Sequence, residues 1–319
     1  MIIDSPLAAL SFAFSVTAPI FVMLVLGLTL KRVHMINEDF IKVASQLVYN
    51  IGLPVMLFTT CATAHFGEMA DIKVLVAFSV MTVMVFFGSL LTAHWHSEDV
   101  RDHGVFIQGA FRGNLVILGL AFCANAYGER GLAIAALPVA MTVVFYNVFS
   151  VYVLNRSLHP ANSSLKPTII GIAKNPLIIA ILLGLIVNAA SLTLPKVLMD
   201  SGKYLSQMVL PLALICIGGA LDVSRFAKFD SATLSASVWK LFLSPIIACA
   251  IAIMLGVRGQ NLAILFLLAA SPTATISFVM VQAVNGNTKL AANIIVQTTL
   301  GSMLTVTLGL WLLQAAGFI

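Results

Sequence analysis

Charge is what this chain has least of. Of its 319 residues only 9% are Asp, Glu, Lys or Arg, whereas 60% are hydrophobic and the mean hydropathy is +1.05. An ordinary soluble domain carries about 25% charged residues, so a water-facing surface is excluded. A basic stripe is also missing: the 17 Lys and Arg, set against 12 Asp and Glu for a net charge of +5, stand singly between apolar runs, which argues against nucleic acid as a partner. Four cysteines, Cys61, Cys123, Cys216 and Cys249, fall in apolar stretches without a CxxC spacing, so no disulfide framework or metal site is indicated and they read as small buried hydrophobes. The GxGxxG, GxxxxGK and HExxH patterns are absent, and with them the cofactor and metal sites they mark.

Long apolar runs are what is there. They fall at about 8–30, 40–61, 73–93, 104–126, 131–154, 175–194, 203–221, 232–256, 260–284 and 289–313. Each is near the roughly 20 residues that cross a hydrocarbon core, so the expected fold is an all-α polytopic membrane protein of about ten transmembrane helices. The first run, within MIIDSPLAALSFAF, has no basic residue ahead of it, and Lys31 and Arg32 follow it. That is the reverse of a cleaved signal peptide, and the run reads as the first span.

One connection has a linker's composition, RSLHPANSSLKP from Arg156 to Pro167, and it divides the chain into residues 1–157 and 168–319. The two parts resemble each other. PIFVMLVLGL from Pro19 and PLIIAILLGL from Pro176 align Gly27 with Gly184 at an offset of 157, which also pairs Asn50 with Gln207 and Pro54 with Pro211. At 158, Gly128 meets Gly286, and Arg112 to Asn114 meet Ala270 to Pro272. Proline and glycine kept in step over several helices mark an internal repeat. Five spans per repeat make the second an inverted copy, the arrangement of many secondary transporters, whose sites lie at the bilayer midplane between repeats.

Loop charge gives an orientation. With the amino terminus outside, inner connections hold Lys31, Arg32, Lys42, Arg101, Arg156, Lys166, Lys174, Arg225, Lys228 and Lys289; outer ones hold Lys73, Arg130, Lys196, Lys203 and Arg258. This bias puts both termini outside the cytoplasm; the expected location is the plasma membrane.

All acidic residues, from Asp4 to Asp230, fall in loops or at helix ends, so the apolar interior holds cations without carboxylates. Arg112 lies deep in the fourth span, where a charge costs about 2.5 to 3.5 kcal/mol on insertion scales and has to face protein, water or an anion. Gln108, Gly109, Gly113 and Asn114 interrupt that span; Ser271, Pro272, Thr273, Thr275 and Ser277 interrupt its repeat mate, the ninth. Both read as broken helices, since proline removes a donor and glycine lowers helix propensity, crossing near the midplane in cavity-lining, unwound backbone. The expected substrate site comprises Gln108, Arg112, Gly113, Asn114, Ser271, Pro272, Thr273 and Thr275, with Asn50 and Pro54 of the second span at equivalent depth. Arginine suits a carboxylate because its planar fork matches two oxygens; the bland reading ties Arg112 to backbone carbonyls of the broken segment. Lys240, eight residues into its span, reads as snorkelling to the inner interface, with a coupling role as the alternative. Asn147, Asn188, Asn293 and Gln297 read as interhelical hydrogen-bonders. The cluster of His94, His96, Glu98, Asp99, Asp102 and His103 reads as a solvated turn.

The segments FRGNLVILGLAF, LPLALICIGGALD, KLFLSP and SPTATISFVM carry a resemblance that covers nearly the whole chain. It resembles bacterial members of the auxin efflux carrier family, relatives of plant PIN-type auxin exporters and of malonate and malate permeases. The resemblance implies ten spans in inverted five-helix repeats, crossing broken helices in spans four and nine, elevator-like alternating access, a small organic anion such as a mono- or dicarboxylate as substrate, a possible homodimer, and, being to bacterial proteins, a bacterial inner membrane as the expected plasma membrane. It places Arg112 and Asn114 at the first crossing and Ser271, Pro272 and Thr273 at the second. PIN-type exporters have Asn-Pro at the first crossing where Gly113 and Asn114 stand here, which argues against plant auxin specificity. A sodium-coupled symporter of the bile acid type would share this frame but is expected to show intramembrane carboxylates. A ligand-binding membrane sensor without transport is the other alternative. An enzyme would need a nucleophile with its base, or paired acids, at midplane depth, and the sequence places none there.

Overall fold

The computed structural model describes residues 6–63, 71–96, 99–158, 170, 174–222 and 230–319. Glu98, residues 159–167 of the linker, and Lys166, Arg225 and Lys228 of the loop-charge count lie outside them. The described residues are almost wholly helical, with no β-strand: α1 (Pro6–Arg32), α2 (Glu38–Leu47), α3 (Leu53–Thr63), α4 (Ile72–Thr92), α5 (Val100–Phe111), α6 (Leu120–Leu158), α7 (Pro176–Ala189), α8 (Lys196–Ala220), α9 (Ser231–Val238), α10 (Ser244–Met254), α11 (Gly259–Ala269), α12 (Ile276–Ala283) and α13 (Thr288–Ala315). Among them, seven continuous helical stretches are long and apolar enough to cross a membrane, and Pro176–Ala189 and Gly259–Ala269 are shorter apolar helices. The protein is an integral, multi-pass membrane protein.

Helix starts follow from side chains that satisfy otherwise unpaired backbone donors. Asn37, Asp71, Asp99, Asn175, Asp230 and Asn287 each accept a hydrogen bond from an N–H in the turn they precede. The scarce acids are thus concentrated where a helix amino terminus favours negative charge. Gly128, at φ 60 and ψ −144, breaks α6, dividing a 44-residue apolar stretch, Leu115–Leu158, that is about twice the length of one span. The run expected to start at 203 begins at Lys196 instead. Its first turns carry Lys196, Asp200 and Lys203, so hydropathy alone set the start too late.

Two of the π-helical turns have a sequence cause. Pro54 and Pro245 have no N–H to give the carbonyls of Asn50 and Leu241, four residues earlier. The helix widens just ahead of each, at Val48–Gly52 and Trp239–Leu243, where Leu53 and Ser244 donate back five residues to Val48 and Trp239. A third π-turn, Leu115–Gly119, follows the break after α5.

Helices α1 and α8 pack along each other, as do α3 and α7, and α8 also packs on α2 and α3. The remaining elements pack mainly on one another: α4 on α10, α5 on α6 and α9, α11 on α6 and α10, and α13 on α5 and α9. The groups meet where α1 lies on α13 and α6, and where α3 and α7 touch α6. Glycine sets the spacing inside the first group. A Cβ on Gly27 would collide with the Ile215 carbonyl oxygen and one on Gly218 with the Leu24 carbonyl oxygen, while one on Gly184 would stand 2.7 Å from the Phe58 carbonyl oxygen. Helices in a membrane associate through such close backbone packing. Replacing Gly27 or Gly218 with Leu is therefore expected to separate α1 from α8 and remove most of the monodisperse peak in detergent size-exclusion chromatography. Val22→Leu, on the exposed face of α1, is expected to leave that peak unchanged.

Candidate functional site: a crossing of two interrupted helices

Helix α5 stops at Arg112, whose backbone is extended at φ −81 and ψ 95, and α11 stops at Ala270. Pro272 accounts for the second stop, since it lacks an N–H and disfavours helical geometry in Ser271. The two short non-helical segments meet as an antiparallel bridge of Gly113 with Thr273. Asn114 N–H donates to the Pro272 carbonyl at 2.6 Å, and Ala274 N–H donates to the Arg112 carbonyl at 2.9 Å. Backbone groups released by unwinding are thus paired across the bridge, which answers the penalty for unpaired polar groups away from water. Partner backbone, in addition to any cavity, is what makes the irregular segments tolerable at this depth. Thr273 ties the junction further: its hydroxyl donates to the Gly109 carbonyl at 2.7 Å and its N–H to Thr298 Oγ1 at 3.1 Å.

An extended backbone alternates its side chains, which puts the Arg112 side chain opposite the Cβ position of Gly113, while Asn114, at φ −80 and ψ 61, turns the chain into the next helical segment. Arg112 is buried; its Nη1 donates to Ser150 Oγ at 3.1 Å, its Nη2 donates to Asn147 Oδ1 at 3.0 Å, and its guanidinium lies 5.8 Å from the Tyr146 ring centre. Residues 146, 147 and 150 share one face of α6, as spacings of three and four require. Tyr49, in the π-turn between α2 and α3, is near enough to interact with the Arg112 charge. Among the described residues two buried donors here stay without a partner, Arg112 Nε and Asn114 Nδ2. An unsatisfied buried donor is expensive, and an acceptor oxygen placed between the two would relieve that cost.

On the Gly113 side, Ser271 Oγ and Lys240 Nζ lie 2.8 and 2.9 Å from the point a Gly113 Cβ would occupy. Lys240 is fully buried and its Nζ donates to the Ala269 carbonyl at 3.0 Å. This corrects the snorkelling expectation: the ammonium turns into the crossing, where the last turn of α11 offers a carbonyl without a helical partner.

The crossing brings together Arg112, Gly113, Asn114, Ser271, Pro272 and Thr273. Gln108 is buried one turn earlier, its Nε2 3.5 Å from Met280 Sδ and its Oε1 unpartnered, and Thr275 is half-buried where α12 begins. Asn50 is exposed and Pro54 half-buried, and among the described residues no hydrogen bond joins them to the crossing. Sequence reasoning missed Tyr146 and Ser150 and read Asn147 only as an interhelical hydrogen-bonder. The available signal was two polar residues three apart in the apolar run VVFYNVFSVYV. Arg112 is tied to these side chains rather than to backbone carbonyls. Asn188 donates to the Cys61 and Ala62 carbonyls, and Gln297 accepts from Ser237 Oγ.

The loop cluster is occupied with local structure. Asp99 caps α5, and hydrogen bonds from the Arg101 side chain and N–H hold its carboxyl down at about 2. His96 Nδ1 lies 3.1 Å from Ser231 Oγ, and Asp102 accepts from Asn287 Nδ2 at 3.1 Å. Among the described residues no group of three or more His, Cys, Asp or Glu is placed to hold a metal ion.

With this geometry in view, the chain matches the membrane transport protein family over residues 12–310. It belongs to that family, the auxin efflux carriers. It is 26% identical over 297 residues to an uncharacterized transporter of Methanothermobacter thermautotrophicus, covering 92% of this chain and 95% of the relative. It is 23% identical over 307 residues to another uncharacterized transporter, from Methanocaldococcus jannaschii, covering 92% and 96%. In this carrier Gly113 is where the two interrupted helices come closest. Gly113→Ala is expected to destabilise the protein by about 1–3 kcal/mol, as overpacking does, and to lower its unfolding temperature in detergent.

Proposed function

We propose that this membrane transport protein is a secondary carrier of a small organic anion, a mono- or dicarboxylate, and that it engages one carboxylate on the Arg112 side of the crossing. The observation that carries this reading is a buried guanidinium with no carboxylate partner among the described residues, beside two buried donors, Arg112 Nε and Asn114 Nδ2, that have none either. Asn147 and Ser150 hold the terminal nitrogens in place, so the cation is already oriented when the substrate arrives, which lowers the ordering cost of binding. Thr273 and Pro272 hold the Arg112 backbone by fixing the bridge; they support the site from behind.

The reading includes ten spans in two inverted repeats, residues 1–157 and 168–319. Packing supports this arrangement. Shifting Gly27 and Phe58 by 157 gives Gly184 and Ile215, so the contact of Gly27 with Ile215 becomes the contact of Gly184 with Phe58. In the same way the pairing of α1 with α8 becomes that of α7 with α3. Two pseudo-equivalent halves give two pseudo-equivalent states open to opposite sides, the basis of alternating access by a rigid-body movement of elevator type. Loop charge supports termini outside the cytoplasm in a plasma membrane.

Uptake of labelled mono- and dicarboxylates into proteoliposomes tests the proposal. Arg112→Gln is expected to lower uptake of the accepted anion about 10- to 100-fold, the weight of a lost charge-assisted hydrogen bond, while the variant still elutes as folded protein. Full uptake by Arg112→Gln would remove the anion site from Arg112. Saturable binding without flux would make the protein a sensor.

A further inference from the structure

Helices α5 and α11 both end at the crossing, and each brings there the negative end of its dipole and carbonyls without helical partners. At α5 these carbonyls are met by neutral donors: the Thr273 hydroxyl on Gly109 and the Ala274 N–H on Arg112. At α11 the Ser271 N–H and hydroxyl return to Leu268, but Ala269 accepts from the Lys240 ammonium at 3.0 Å and from Ser244 Oγ at 3.4 Å. Lys240 and Ser244 reach the same carbonyl from the π-turn that Pro245 imposes and the residue just after it. Among the described residues no carboxylate pairs with Lys240, and the oxygen that its Nζ is bonded to is a neutral carbonyl. Gly113 completes the enclosure, because only a missing Cβ leaves room for Nζ.

Half-helix carboxyl ends and unwound carbonyls are the groups with which discontinuous transporter helices hold a coupling sodium ion. Here a side chain occupies that kind of place. We propose that Lys240 is a built-in monovalent cation, its ammonium bonded to the Ala269 carbonyl at the end of α11 beside Ser244 and Ser271, so that the crossing closes without a dissociable alkali ion. The site lies on the opposite side of residues 112–114 from the proposed anion site and makes no contact with the substrate; Lys240 is a positioning residue. A carrier so built draws no work from a sodium gradient, and removing the lysine opens a space for a small cation.

Thermal unfolding of the purified protein, followed by tryptophan fluorescence with Trp239 adjacent to the site, needs no substrate and is decided separately from the anion reading. The wild type is expected to unfold within about 1 °C of the same temperature in sodium, potassium or choline chloride at about 150 mM. Lys240→Ala is expected to unfold at lower temperature in choline and to regain about 3 °C or more with sodium or methylammonium, which fit where choline does not. Lys240→Met, which restores volume without charge, is expected to stay low in every salt. Stabilisation of the wild type by sodium over choline overturns the proposal, as does a Lys240→Met that unfolds with the wild type or a Lys240→Ala indifferent to the cation. If neither variant folds, the wild-type salt series alone decides.

Discussion

Two backbone hydrogen bonds, Asn114 N–H to Pro272 and Ala274 N–H to Arg112, are the constraint on which the rest of this structure depends. An apolar environment gives an unwound peptide no water to bind, so a single broken helix there is unfavourable. Two broken helices that meet at their breaks relieve each other. The fold is organised around that meeting: α6 and α10 flank it, Thr298 of α13 reaches it from a third direction, and the buried Arg112, Asn114, Lys240, Ser271 and Thr273 stand at it.

The bridge also sorts charge. Arg112 reaches α6 while Lys240 lies against the Gly113 backbone, so the two cations stand on different sides of the bridge. The two cations are thereby given different surroundings. Arg112 faces α6, with two side-chain acceptors and its Nε without a partner among the described residues; Lys240 faces the end of α11, where it donates to a carbonyl. A guanidinium suits the first place because it keeps a donor edge free after two of its nitrogens are bound, whereas an ammonium, a compact point charge, suits the second.

The apolar helices and their interruptions were legible because they rest on composition and on proline and glycine, whose backbone effects are local. Pro272 stops a helix wherever it stands, and Gly128 breaks the apolar run where an end was expected. What stayed hidden depends on rotation and on neighbours. Whether Lys240 reaches outward or inward is decided by the turn ahead of Pro245, and the proline was visible while its one-residue widening of the helix was not. Asn147 and Ser150 acquire their role only because α6 lies against the break in α5. Asn50 and Gln207 align by offset but carry no information about which way they face; Asn50 is exposed and has no hydrogen bond to the crossing among the described residues, and its neighbour Tyr49 is the one near Arg112.

The proposed alternating access needs a seam that yields beside others that hold, and the two kinds of interface differ in chemistry. Between α1 and α8, and between α3 and α7, backbone meets backbone at glycine, so a sideways step brings side chains into carbonyls. Those pairs resist sliding. Where α1 meets α13 and α6, the polar links include the Thr17 and Thr307 hydroxyls and the Asn125 amide on the Ser15 and Val16 carbonyls. Side-chain bonds of this kind are worth about 0.5–1.5 kcal/mol each and form again with a displaced partner, as glycine contacts do not. The crossing is built from α5, α11 and the segments that follow them, and Tyr49 meets it from across the seam, so the site would travel with α4, α5, α6 and α9 to α13 while the glycine-packed helices stay in place.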